Sequence, residues 1–145
     1  MPEQITPLPP SGSQRQYYRI QKAEFSVIGA FNPDKRENEA FTGLTEVFLS
    51  LGLPVPRVLA QDKGSHCYLL SDLGNTTLFS LLPHGRDVEA FNPEIIAHYK
   101  RVIELLPIFQ VDAAQKIDFS ICYPRHSFDR RSMMWDLNYF KYYFS

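Results

Sequence analysis

The hydrophobic positions change period several times along the chain. "QYYRIQ" and "AEFSVIGAF" read as two strands, with Lys22–Glu24 as the hairpin corner between them. The Pro-rich stretch ahead of them reads as extended, with "PPSGS" as a turn. A helical period then takes over. Ala40, Phe41, Leu44, Val47, Phe48 and Leu51 form one apolar stripe. Asn32 reads as its N-cap and Pro33 as the first helical residue, with acidic residues following in the first turns. Gly52 reads as the C′ residue, Leu53 as its hydrophobic contact, and Pro54 and Pro56 forbid continuation. The spacing predicts a helix over 33–51.

"RVLAQD" and "SHCYLLSD" come next as short strands joined by "DKGS"; their imperfect alternation suits strands covered in part on both faces. A short helix, "TTLFSLL", comes after "DLGN". Asn92 and Pro93 repeat the cap punctuation. Ile95, Ile96, Tyr99, Val102, Ile103 and Leu106 then supply an apolar helical face, and Pro107 is expected to kink or end it near Leu106. "DFSICYPRH" reads as a loop, and a last helix starts near Asp129 with Met133, Leu137, Phe140 and Phe144 on one side. Strands, helix, strands, then helices argue for an α+β layer: an antiparallel sheet with a helix on one face.

Composition narrows the function classes. The 145 residues suit one modest domain, and 44% hydrophobic content can build a core. With 15 basic and 16 acidic residues and no basic block, the electrostatic footprint for nucleic acid is missing. The N-terminus carries no secretion-signal pattern, and no apolar run is long enough to cross a bilayer. Cys67 and Cys122 are too few for a disulfide framework, so a reduced, cytoplasmic protein is the expectation. His66, Cys67, His84, His98, Cys122 and His126 form no recognised ligand spacing, and no protein metal site is expected.

Four stretches carry a family resemblance: "PPSGSQRQYYRI", "ENEAF...LGLPVPRVLA", "CYLLSDLGNTTLFSLL" and "WDLNYFKYYF". Together they resemble the N-terminal lobe of the aminoglycoside phosphotransferase and choline-kinase-like superfamily. The subgroup suggested is the bacterial amino-sugar (anomeric) kinases, which share the "DLG" hinge. The resemblance implies a protein-kinase-like N-lobe with one αC-type helix over residues 1–73, hinge included. Residues 74–145 would then be helices that begin a C-lobe.

It also implies ATP and magnesium as cofactors and a sugar as small-molecule substrate. In "SGSQR", Ser11, Gly12, Ser13 and Arg15 would cradle phosphates, although an ordinary hairpin turn with a solvated Arg has the same spacing. The αC acid would be Glu37, with Glu39 second; either one would serve equally as a first-turn acid complementing the helix dipole. Backbone groups around Leu70, Ser71, Asp72 and Leu73 would meet the adenine edge. One departure stands out. The strand-three Lys that grips the α- and β-phosphates is missing, and Ile28, Gly29 and Ala30 stand where it is expected. Arg15, Lys35 and Arg36 are the cations left to replace it.

Two motifs imitate catalytic parts. "HGRDVEAFN" approaches the H-R-D-x-x-x-x-N loop, and "DLG" approaches the metal-binding D-F-G. In the kinase fold that loop lies in the C-lobe, well after the hinge helix, and D-F-G comes after it. Here both come too early, so the first reads as a polar connector with a cap and the second as the hinge. These 145 residues therefore hold no credible catalytic Asp or magnesium ligand, and the chain alone is expected to be inactive. The alternative is a non-catalytic nucleotide-binding or protein-interaction α+β module. The aromatic tail "MMWDLNYFKYYFS" reads as a core helix lacking its cover, which leaves room for self-association and disfavours membrane binding.

Overall fold

A computed structural model describes residues 4–10, 14–82 and 93–144. Its strands are β1 (Gln4–Pro7), β2 (Gln16–Lys22), β3 (Phe25–Phe31), β4 (Val58–Asp62) and β5 (Cys67–Ser71). They form one sheet of five strands in the order β1-β2-β3-β5-β4, and every pairing is antiparallel. Helix α1 (Lys35–Ser50) is inserted between β3 and β4, while α2 (Pro93–Pro107) and α3 (Arg130–Phe144) come after the sheet. The architecture is thus mixed α+β, with an antiparallel sheet and helices, as the periodicity predicts. β1 is an addition: its segment was expected only to be extended, and Gln4–Pro7 pairs with Tyr18–Gln21 of β2.

The core lies on one face of the sheet. Side chains alternate across a strand, so Ile28 and Ala30 of β3 share a face with Tyr68 and Leu70 of β5. These four are buried, with Leu8, Tyr17, Phe41 and Val58 packed against them. Phe41 brings α1 onto that face, its ring 5.3 Å from the Tyr68 ring. Ile28 faces Leu70, and Ala30 faces Tyr68, across the β3–β5 ladder.

The two ends of α1 close differently. At its C-terminus Gly52 takes φ 70°, its N–H donates to Leu49 C=O (3.0 Å), and the Leu53 N–H donates to Phe48 C=O (3.0 Å). That is a Schellman closure with Leu53 buried beneath it, as predicted. At the N-terminus the cap is Asp34, not Asn32. The Asp34 carboxylate accepts from the N–H groups of Arg36 (2.9 Å) and Glu37 (3.1 Å). Asn32 is instead buried as a tie between strand and helix. Its Oδ1 accepts from the Asp34 N–H at 3.1 Å, and its C=O accepts from Asn38 Nδ2 at 2.7 Å. An acid at 34 complements the positive helix end better than an amide two residues earlier.

Other expectations shift for local reasons. The uneven alternation of "RVLAQD" comes from a register irregularity between Val58 and Ala60 in an exposed edge strand, rather than from cover on both faces. The predicted helix "TTLFSLL" is only a 3-10 turn at Phe79–Leu81, with Thr77 and Ser80 bonded to each other. α2 ends at Pro107, within one residue of the predicted end near Leu106. It passes there into a π turn at Ile108–Asp112. Its predicted apolar face is mostly exposed, with Ile95 buried. In the "DFSICYPRH" segment Phe119–Ile121 form a further 3-10 turn. Asp129 starts α3 by accepting from the Ser132 N–H at 2.9 Å. The "HGRDVEAFN" stretch and the Asn92 cap lie outside the described residues.

The segment after α2 packs against α1. Phe109 meets Phe48 edge-on, with centroids 5.0 Å apart, and Arg36 lies over the Tyr123 ring at 4.8 Å. Gly43 marks the closest approach, since a Cβ there would stand 2.6 Å from Ile121 Cδ1. α3 carries the exposed apolar surface expected of the tail: Trp135 is 76% and Phe140 62% exposed.

Candidate functional site

Two polar clusters sit on the core face of the sheet. The first joins the start of β2 to α1. Arg15 immediately precedes β2, and its side chain is 11% exposed. It crosses the Phe41 ring with Cζ 5.0 Å from the centroid, and its Nη2 lies 3.7 Å from Glu37 Oε2. Burial weighs most heavily against the guanidinium charge. A hydrogen bond with Tyr17 and the neighbouring Tyr68 and Glu37 more than offset it, so the Arg15 pKa is raised. Glu37 also accepts from Asn32 Nδ2, which fixes its carboxylate against the end of β3.

Tyr68 lies in the same cluster. It is 2% exposed, and its hydroxyl is buried with no hydrogen-bond partner among the described residues. Burial pushes the phenol up to about 12, with Arg15 pulling the other way. The hydroxyl therefore remains a proton donor through the ordinary pH range. Asn38 Oδ1 is likewise buried without a partner among the described residues.

The second cluster holds the exit of β5. Arg19 Nε donates to Asp72 Oδ2 at 2.6 Å, and Nη2 donates to Oδ1 at 2.9 Å. This two-pronged pairing fits the planar guanidinium to the carboxylate. Ser26 Oγ donates to Asp72 Oδ2 (2.6 Å), and the Gly74 N–H donates to Oδ1 (2.9 Å). Arg19 further reaches Asn75 Oδ1 at 2.5 Å and the Gly74 carbonyl at 3.3 Å. The Arg19 hydrogen bonds, then Ser26, hold the Asp72 carboxyl well below the usual carboxylate range.

The residues singled out in the sequence are placed unevenly. Arg15 and Glu37 come together. Glu39 points along the exposed helix surface, 3.9 Å from Lys35 Nζ. Leu70 sits inside the sheet, paired in register with Ile28 and Val58. The Ser71 N–H donates to Arg57 C=O, and Ser71 Oγ accepts from the Arg57 N–H, both at 2.9 Å. Asp72 has its carboxylate committed to Arg19, and Leu73 is 66% exposed. Ser11, Gly12 and Ser13 lie outside the described residues. Among the described residues, no group of three or more His, Cys, Asp or Glu could hold a metal ion. No helix among them is long and apolar enough to cross a membrane.

Sequence reasoning missed Arg19, Ser26, Asn32, Asn38 and Tyr68. Arg19 had a signal. It is two residues from Tyr17, hence on the same strand face, and a charge on a core-facing position demands a partner.

Over 97 residues the chain is 33% identical to an N-acetylmuramate/N-acetylglucosamine kinase of Pseudomonas aeruginosa, a match covering 66% of this chain and 29% of that kinase. The chain thus spans well under half the length of this curated relative. No family model matches the chain, and no solved structure matches it. The match supports a sugar-kinase relationship, and the mixed α+β fold is compatible with a kinase-like N-lobe.

Proposed function

We propose that this chain is the ATP-facing part of a small-molecule phosphotransferase that passes the γ-phosphoryl group to a sugar or amino-sugar hydroxyl. The observation that carries the reading is the helix inserted between β3 and β4. It presents Glu37 to a cation above the core face of an antiparallel sheet. Protein kinases use such an acid–cation pair to set the α- and β-phosphates. The relative's name supplies the substrate class. On this reading residues 1–73 are the lobe with its hinge, and residues 74–145 open a second, helical lobe in a cytoplasmic protein.

The residues present fit a triphosphate. Arg15 offers a fork of N–H donors, and Tyr68 adds a buried hydroxyl that has no partner among the described residues. Bound ATP and magnesium would supply the phosphoryl group and neutralise its charge. This chain's part is to hold and orient. Arg15 would position phosphate, Glu37 would position Arg15, and the Leu70–Leu73 backbone would border the adenine. Ser11, Gly12 and Ser13, which lie outside the described residues, are the other members of the phosphate cradle that the resemblance implies. Glu39 is the weaker candidate for the acid because it faces solvent and Lys35.

Catalytic Asp and magnesium-binding groups are not among these residues, so binding without turnover is expected. Calorimetric titration with ATP and magnesium tests the first half, and a phosphorylation assay with N-acetylmuramate and N-acetylglucosamine tests the second. Saturable ATP binding without product supports the proposal. No ATP binding at millimolar concentration would reject it, and clear turnover would overturn the expected inactivity.

A further inference from the structure

The kinase pattern asks for a lysine on strand three, and β3 has none. Its core-facing residues, Ile28 and Ala30, are buried apolar groups that can carry no charge. Three nearby cations could take over the task, and their surroundings separate them. Lys35 is 67% exposed and pairs with Glu39 along the outer surface of α1. Arg36 is drawn to the opposite side of the helix, stacked over Tyr123. Arg15 alone of the three reaches Glu37, the first-turn acid bonded back to Asn32 at the end of β3.

We infer that Arg15, delivered from the start of β2 and steadied by Glu37 and the Phe41 ring, replaces the strand-three lysine as the phosphate-positioning cation. The inference rests on the proposed ATP-facing role and adds the residue that performs it. The geometry gives Arg15 a fixed place. Its guanidinium lies between an acid at ion-pair distance, 3.7 Å, and an aromatic face at 5.0 Å. An arginine can grip two phosphate oxygens at once, whereas a lysine acts as a point charge. The exchange also explains why β3 is free to place apolar residues at the former lysine site. The charge has moved one strand across the sheet, to the beginning of β2, which neighbours β3 in the ladder.

The test compares three probes by calorimetry on the full chain: ATP with magnesium, adenosine, and inorganic tripolyphosphate. In wild type, ATP should bind more tightly than adenosine. Arg15→Met should weaken ATP and tripolyphosphate by about tenfold or more, the worth of a charge-assisted contact, and leave adenosine unchanged. Lys35→Met should change none of the three. Arg15→Gln is read in the same way if the Met variant does not melt cooperatively. A readout on unaltered protein stands beside these: the Arg15 side-chain Nε and Cζ resonances should shift on adding tripolyphosphate. An unchanged ATP-to-adenosine ratio in the Arg15 variants, or unmoved Arg15 resonances, overturns the inference while the ATP-facing reading survives. Wild-type protein that binds neither ATP nor adenosine overturns that reading and the inference with it.

Discussion

Tyr68→Phe is the substitution whose effect the structure constrains most closely. The ring is 2% exposed and lies 5.3 Å from the Phe41 ring at an interplanar angle of 31°, all of which phenylalanine preserves. Only the hydroxyl is lost. That oxygen is buried and has no partner among the described residues, so the wild type bears a desolvation cost of about 1–3 kcal/mol. Removing it should recover the lower part of that range, about 1–2 kcal/mol, because the small void left behind offsets some of the gain. A chain of 145 residues unfolds with an entropy of roughly 300 cal/mol/K, so each kcal/mol moves Tm by about 3 °C. Calorimetry on the unliganded variant should therefore show Tm higher by about 3–6 °C. On the proposed reading the same variant should bind tripolyphosphate more weakly, having lost a donor. A Tm equal to or below wild type would refute the reasoning, since it would mean that the hydroxyl is satisfied.

The local geometry sets three further outcomes. Asp34→Ala should cost about 1 kcal/mol, the worth of an N-cap, read as a lower urea midpoint with unchanged slope. Asp72 is held well below the usual carboxylate range, chiefly by Arg19, so the unfolded chain binds more protons in acid and stability rises with pH. Its contribution is complete above the ordinary carboxylate pKa and is lost as pH falls below about 4 towards the depressed folded value. Asp72→Asn should flatten that part of the stability–pH curve, and an unchanged acid limb would count against the Arg19–Asp72 tie. Gly43→Ala gains about 1 kcal/mol of helix propensity but meets Ile121 Cδ1 at 2.6 Å. Removing that methyl with Ile121→Val should make the double variant more stable than the sum of the single changes, a coupling measurable by denaturant melts.

Much of the fold was legible because its signals are local. The helical stripe from Ala40 to Leu51, the Gly52 stop and the strand–turn–strand runs each depend on neighbours a few residues apart. The N-cap was misplaced because Asn32 and Asp34 both suit a cap, and only the buried setting of Asn32 distinguishes them. Pro107 was legible as the end of α2 because its ring opposes an ordinary α turn; the π turn that follows at Ile108–Asp112 was not foreseen. The site was half legible. Arg15 and Glu37 each stood out as candidates, but they are 22 positions apart, and no spacing rule joins a pre-strand arginine to a helix acid. Arg19 and Asp72 are 53 positions apart and meet only once β2, β3 and β5 share a sheet. The orphan hydroxyl of Tyr68 is a three-dimensional fact with no one-dimensional trace.

The Arg19 cluster has a mechanical consequence for the chain beyond the sheet. Asp72, Gly74 and Asn75 are all bonded to one guanidinium rooted in the middle of β2. The linker therefore leaves β5 already bolted down for several residues. Any swing of the helical half relative to the strands must take its pivot beyond Asn75. Amide hydrogen exchange should mark the end of that fixed stretch as a step from slow to fast between Gly74, whose N–H is bonded to Asp72, and Thr76.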